Sequence, residues 1–374
     1  MNIHRTNGLI SFLFLLFVFN SATAQSRREI RIPDILGYQT LKCDFHMHTV
    51  FSDGDVWPTV RVQEAWNEGL DVISITDHIE YQPHSGDMDA DHNRAFEVAK
   101  PLADQMGILL VRGVEITRNM PPGHLNAIFV KNANLLERED WWEACVEAKE
   151  QGAFVFWTHP GSKIQQPDRS QWWPEHTRLL NAGILKGIEI YSHSEYYPEA
   201  LQWAQEKNMI ILGNSNIHEP IGQEFSGNGQ TRPITLVFAL DKTETAVKAA
   251  MMDYRTAVLF NDTLIADRRF LTPIFINSIQ LKSKKLNLQN QDIKYLQIYN
   301  NSDIPFKLKQ RQPSVGFSCP KEIVLPPNRT VSIELMGTSD EVGQMPVLKM
   351  FYEATNLITK RGENLPVNID VPNK

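Results

Sequence analysis

Cysteine is scarce in this 374-residue chain: three residues, Cys43, Cys145 and Cys319, an odd number with no framework spacing. That argues against a disulfide-stapled scaffold. Cys43 in an apolar strand and Cys145 in an amphipathic helix read as buried thiols. Lysine and arginine form no stripe, and the net charge is −7. A protein that grips long nucleic acid through its phosphates is therefore not expected. The chain has no glycine-rich nucleotide loop, no internal repeat and no low-complexity segment. Long apolar runs are also missing. The run from Leu9 to Phe19, behind the basic Arg5, is too short for a comfortable membrane span. It leads to Ala22-Thr23-Ala24, the small-x-small pattern of a signal-peptidase site, with no cysteine after it to take a lipid. Residues 1–24 read as a cleaved leader, with a retained N-terminal anchor as the alternative. The mature protein is then periplasmic or extracellular, with no integral membrane segment.

What the chain does have is alternation. After an N-terminal segment over 25–38, short apolar runs exchange with helical patterns across 39–273, the texture of a parallel α/β domain. Expected strands are LKCDFH, DVISIT (71–76), GILLVRGVEI (107–116), LNAIFV (125–130), AFVFWT (153–158), GIEIY (187–191) and MIILG (209–213), with PITLVFAL (233–240) a possible eighth. One helix is expected to end at Gly152 in a left-handed cap, and another to start on Ser194 with Pro198 in its first turns. So many units in one domain favour a closed or nearly closed barrel over an open sheet. Beyond Phe275 the pattern changes to period-two alternation broken by Asn, Asp and Pro. Residues 274–374 read as a small all-β sandwich with a structural or docking role.

In a parallel barrel the functional face lies at the strand C-terminal ends. His46 and His48 end the first expected strand and Asp53 follows; Asp77 and His78 end the second; Glu115 ends the third. His124 precedes the fourth, His159 ends the fifth, and Asn216 and His218 follow the seventh. Six of the eleven histidines thus converge on one rim, interleaved with carboxylates. Packed neutral imidazoles would need many hydrogen-bond partners, whereas a group of cations satisfies them together. Imidazole with carboxylate and no thiolate suits Zn, Mn or Fe better than Ca or Mg.

These motifs, His46-x-His48 with Asp53, Thr76-Asp77-His78, Glu115, His124, His159 and Asn216-x-His218, resemble the PHP (polymerase and histidinol phosphatase) superfamily over about Leu41 to Pro273. The resemblance implies a distorted (β/α)7 barrel with two or three divalent metals at its C-terminal face. His46, His48 and Glu115 would hold a first metal. Glu115, bridging, would hold a second with His124 and His159, and Asp53, His78 and His218 would hold a third. Asp77 is expected to accept a proton from a ligating imidazole and fix its tautomer. One position departs from the family: aspartate is usual where this chain has Asn216, so the first metal would lose an anionic ligand.

The family implies hydrolysis of phosphoester bonds, small monoesters or diesters, by a hydroxide between the first two metals. Arg118 and Arg232 are candidate phosphate contacts, and His193 is the candidate acid for the leaving group. Two tryptophan pairs, Trp141-Trp142 and Trp172-Trp173, are expected in helices, with one of each pair in the core. The expected partner is a small phosphorylated substrate and not a nucleic-acid polymer. Two alternatives stay open: a metal-binding protein with weak or no turnover because of Asn216, and a barrel hydrolase acting on a non-phosphate substrate.

Overall fold

A computed structural model of the chain describes residues 27–225 and 231–374, and the leader expected over 1–24 lies outside them. The chain starts as expected. Strand β1 (Gln39–Asp44), helix α1 (Pro58–Asn67), β2 (Val72–Ile75), α2 (Arg94–Met106) and β3 (Leu109–Ile116) form two right-sized crossovers with three parallel strands. Every residue of β2 is buried, which is why it reads as an unbroken apolar run. Pro58 opens α1 at a position that needs no amide hydrogen, and Gly107 ends α2 in the left-handed region at φ 69°.

The next strands depart from a uniformly parallel arrangement. Strand β4 (Leu125–Ile128) runs antiparallel to β3 and to β5 (Phe154–Trp157), with α3 (Trp141–Glu150) between β4 and β5. The Thr117–His124 connection has no helix and is too short for the roughly dozen-residue crossover that a parallel neighbour requires. Helix α3 is capped by Asp140, and Gly152 stands just past its end at φ 77°, as the sequence indicated. Then come α4 (Pro174–Asn181), β6 (Leu185–Ser192), β7 (Glu195–Tyr196), α5 (Pro198–Lys207) and β8 (Ile210–Asn214), with β5, β6 and β8 parallel. Ser194 does not cap α5. It lies in the tight β6–β7 turn, and Tyr197 precedes the helix.

After α6 (Ile221–Glu224), strand β9 (Ile234–Ala239) pairs antiparallel with β1; α7 (Glu244–Met252), β10 (Thr256–Phe260), β11 (Thr263–Ala266) and α8 (Arg268–Ser278) follow. The hydrogen-bonded order is β11-β10-β9-β1-β2-β3-β4-β5-β6-β8, curled so that its far end returns to β1. An isolated parallel bridge, Met47 to Ile217, joins the segments that follow β1 and β8. His48 N–H donates to the Ile217 carbonyl at 2.9 Å, and Asn216 N–H donates to that of His46 at 2.8 Å. The strand C-terminal ends are thereby drawn into one ring.

The domain boundary expected after residue 273 and the texture change after Phe275 both fall inside α8, and strands resume at Ile279. Eight follow: β12 (Ile279–Leu281), β13 (Ile293–Asn300), β14 (Phe306–Gln312), β15 (Phe317–Ser318), β16 (Glu322–Leu325), β17 (Thr330–Gly337), β18 (Val347–Lys360) and β19 (Glu363–Pro372). One sheet is β12-β13-β17-β15, and β16-β14-β18-β19 faces it. Alternate residues of β18 are buried, the expected period of a half-buried strand. The sandwich is not a separate appendage. Leu357 and Ile358 of β18 pair in parallel with Leu264 and Ile265 of β11, so its second sheet continues the first domain's sheet. Phe275 of α8 packs edge-on against Phe306, with 5.1 Å between ring centres, and one apolar cluster runs through both regions.

Candidate metal centre

The period of an extended chain sorts the segment after β1. Phe45 and Met47 enter two apolar clusters, while His46 and His48 point the other way. Asp53 is set on a tight turn in which Gly54 N–H donates to the Thr49 carbonyl at 2.9 Å. Glycine is required there, because a Cβ would lie 2.6 Å from the His48 carbonyl carbon and the Thr49 nitrogen. His78 and Glu115 come from the ends of β2 and β3, and a backbone bridge links the two residues directly. His159 and Asn216 both sit at positive φ, 31° and 46°. Such left-handed backbone at non-glycine positions clusters where a site over-determines the chain.

Glu115 is the hub. Its Oε2 lies 3.5 Å from His46 Nε2, 3.4 Å from His48 Nε2 and 3.0 Å from His78 Nδ1. Its Oε1 lies 3.3 Å from His124 Nδ1 and 3.4 Å from His159 Nε2, and accepts a hydrogen bond from Thr158 Oγ1 at 2.9 Å. Asp53 Oδ1 forms a second focus, 3.3 Å from His78 Nε2, 3.4 Å from His218 Nε2 and 3.7 Å from His48 Nδ1. Asn216 Oδ1 is 3.1 Å from His48 Nε2. Donor atoms converge in three groups: His48, Asp53, His78 and His218; His46, Glu115 and His159; His78, Glu115 and His124. Every ligand candidate from the sequence is therefore in one cluster. The groupings differ from the expected ones in that His48 also faces Asp53, and His78 stands between both carboxylates.

The polar bookkeeping of this cluster does not close within the protein. Among the described residues, Asp53 Oδ1, Glu115 Oε2, His124 Nδ1 and His159 Nδ1 are buried with no hydrogen-bond partner. Buried orphans of this kind are costly unless something else binds them. Charge tells the same story. Burial would lower the His46 imidazole, yet Glu189 and Glu115 raise it to about 10. His78 is likewise depressed by burial but raised to about 10 by Glu115 and Asp53. Burial would raise Glu115, but the surrounding His46, His78 and His124 hold it well below the usual carboxylate range. The site holds ionised oxygen and demands positive charge, and nitrogen with carboxylate oxygen is a donor set that fits divalent transition metals.

Several expected roles change. Asp77 does not touch an imidazole. It accepts from Thr49 N–H at 2.6 Å, Thr49 Oγ1 at 2.7 Å and Ser52 Oγ at 2.8 Å, and so braces the turn that carries Asp53. The carboxylate that does orient a histidine is Glu189, which no sequence signal singled out: it accepts hydrogen bonds from His46 Nδ1 at 2.9 Å and from the His159 backbone N–H at 2.8 Å. Arg118 pairs with Glu80 at 2.8 Å and donates to the Arg138 carbonyl, and Arg232 is buried between Asp44 (2.9 Å) and Glu68 (2.6 Å). Neither arginine lines the cavity in front of the cluster. His193 does line it, with Nε2 3.0 Å from Glu224 Oε2. A second missed residue is Arg61, fully buried, whose guanidinium donates to the carbonyls of His48, Ile217, His218 and Glu219 and to Glu64. Of the tryptophan pairs, Trp141 and Trp142 do open α3, but Trp172 and Trp173 precede α4. Trp172 packs with Trp157, His176 and Trp203.

A two-domain protein from Bacteroides vulgatus containing a predicted PHP-like metal-dependent phosphoesterase is 42% identical. The match covers 93% of this chain and all of that one, with a TM-score of 0.87. The chain belongs to the PHP family. Residues 279–370 of this PHP protein also match the family DUF5001, described as an Ig-like domain. A 5′-3′ exoribonuclease of Haemophilus influenzae is 34% identical over 80 residues, 21% of this chain and 25% of that protein. An uncharacterized protein of Methanocaldococcus jannaschii is 25% identical over 172 residues, 46% of this chain and 66% of that protein. The PHP chain thus spans a quarter of the first curated relative and just under two thirds of the second. Among the described residues, no helix is long and apolar enough to cross a membrane.

Proposed function

We propose that this PHP protein is a metal-dependent hydrolase of phosphoester bonds in small phosphomonoesters or phosphodiesters. One observation carries the reading: Glu115, fully buried, has five imidazoles within 3.5 Å of its two oxygens and leaves Oε2 unpartnered. Two or three divalent ions, zinc, manganese or iron, would be held by His46, His48, Glu115 and Asn216, by Glu115, His124 and His159, and by Asp53, His78 and His218. Such ions bring a water toward neutral pKa and draw charge from phosphoryl oxygens.

The chain's own residues prepare that chemistry. Glu189 accepts a hydrogen bond from His46 Nδ1, which leaves Nε2 turned toward Glu115 and His48, where a bound cation would displace its proton. The backbone carbonyl of Asn216, 3.0 Å from His218 Nδ1, accepts from that nitrogen and turns His218 Nε2 toward Asp53. At the rim, His193 is steadied by Glu224 and Ser194 and is placed to hand a proton to the departing alcohol. Burial would raise Glu224, but hydrogen bonds from His193 and from the Glu219 and His218 amides hold it below the usual range, so it stays ionised beside the imidazole.

The proposal extends to place and partner: a leader at 1–24 exports the chain, and the substrate is a small phosphorylated molecule met outside the cytoplasm. The test is metal analysis of the purified chain with a panel of phosphate mono- and diesters. Two or three equivalents of metal, turnover that a chelator abolishes, and its loss in His159→Ala are expected. Bound metal with no turnover on any phosphate ester would overturn the assignment.

A further inference from the structure

The cavity in front of the cluster, about 330 Å³, has two unlike walls. One wall is the cluster. The other is built from Ile164, Gln165, Ser192, His193, Glu195 and Tyr197. Among the described residues no lysine or arginine lines it. Lys163, beside the lining residues, is turned to the Asp168 carbonyl at 3.4 Å. With Arg118 and Arg232 committed elsewhere, the second wall offers amide and hydroxyl groups, the His193 imidazole and one carboxylate, Glu195.

That wall has unspent hydrogen-bonding capacity. Gln165 Oε1, Gln165 Nε2 and Ser192 Oγ are buried with no partner among the described residues. Gly123 keeps room for the amide, since a Cβ there would lie 2.8 Å from Gln165 Oε1. Tyr197 gives its phenolic proton to Glu195 at 2.9 Å and so presents lone pairs. Acceptors such as these repel phosphoryl oxygens and match hydroxyl groups. Charge points the same way. A phosphomonoester carries about 1.5 to 2 negative charges near neutrality, and beyond the ions the cluster would hold, no arginine or lysine among the described lining residues meets the second charge. A diester carries one.

We infer that the substrate is a small phosphodiester whose leaving alcohol carries further hydroxyl groups, with the phosphate against the histidine cluster and the hydroxyls against Gln165 and Ser192. This rests on the phosphoesterase reading and narrows it. Hydrolysis consumes one water: its oxygen joins phosphorus, the P–O bond to the polyol breaks, and one of its protons ends on the released alcohol. A cavity at the small end of ligand sites holds a diester of this size and excludes a folded polymer.

The metal-loaded full chain is assayed on glycerophosphoglycerol against glycerol phosphate, and on bis(4-nitrophenyl) phosphate against 4-nitrophenyl phosphate. In each pair kcat/KM is expected to favour the diester by about 100-fold, a difference on the scale of a lost charge-assisted contact. Gln165→Ala and Ser192→Ala are expected to lose about tenfold more on glycerophosphoglycerol than on bis(4-nitrophenyl) phosphate, because only the former offers hydroxyls to those side chains. Equal or better turnover of the monoesters, or equal losses on both diesters, overturns this inference while leaving a phosphoesterase. No turnover of any of the four removes the underlying function instead.

Discussion

His46 and Glu189 are joined at 2.9 Å through Nδ1 and Oε1, and both side chains are completely buried. The same carboxylate accepts the backbone N–H of His159 at 2.8 Å and the side-chain amide of Asn214 at 2.9 Å. One strand residue of β6 thus fixes the tautomer of one ligand candidate and the backbone of another.

Replacing it should be felt as metal affinity. Glu189→Gln keeps the shape but no longer holds the imidazole by a charged acceptor. A 10- to 100-fold, that is roughly 1.4–2.7 kcal/mol, weaker binding is expected, the usual range for a carboxylate behind a ligating histidine. Calorimetric titration of the metal-free protein measures it. Unchanged affinity would mean that the pair is only structural.

Asn216→Asp should act in the opposite direction. The substitution places an anion about where Oδ1 now lies, 3.1 Å from His48 Nε2. Competition against a chelator is expected to show binding about tenfold tighter, on the scale of one added charge-assisted ligand. Weaker or equal binding would show that the amide is not directed at a cation.

Arg61 is predicted to matter for folding. Its guanidinium ties the carbonyls of residues 48 and 217–219 together beneath the cluster. Arg61→Met leaves Glu64 without its 2.7 Å partner, and removing one member of a buried pair costs about 3–5 kcal/mol. Urea unfolding of the metal-free chain reads this directly, and a loss below about 1 kcal/mol would contradict it.

His176 is expected to shape stability in acid. It is buried against Trp157 with 3.7 Å between ring centres, Nε2 lies 2.7 Å from the Pro122 carbonyl, and burial lowers its pKa from 6.5 to about 4. The unfolded chain therefore takes up this proton first as pH falls. The contribution is whole above about pH 6.5 and is lost on the way down to about pH 4, a total of about 3 kcal/mol. In chelator, the stability deficit of His176→Gln against the parent should shrink by about that much between pH 7 and pH 4. Parallel curves would show that the ring is not held neutral.

Much of the centre was legible because polar residues that end apolar strands advertise themselves: His46, His48, His78, Glu115 and His159 all interrupt runs that are otherwise buried. Glu189 escaped because a single acid in GIEIY looks like ordinary outward alternation, and only the curl of the sheet turns it inward. Asp77 was misassigned for the converse reason. It neighbours His78 in sequence, but successive side chains on an extended chain diverge, so it reaches Thr49 and Ser52 while His78 reaches Asp53 and Glu115. The strand segments were visible in their apolar runs. The reversed direction of β4 was not, since it follows from the length and path of its connection. The pairing of β11 with β18 joins residues far apart in sequence, and no local pattern encodes it.

That last pairing bears on how the molecule can be divided. Cutting the chain after Ser278 would strip β18 from β11 and leave Leu264 and Ile265 on a bare strand edge, with unpaired amides and carbonyls beside newly exposed apolar surface. Such an edge is a template for another chain. The Ig-like region therefore serves the catalytic half as a permanent selvage, and a fragment without it would be expected to self-associate along that seam.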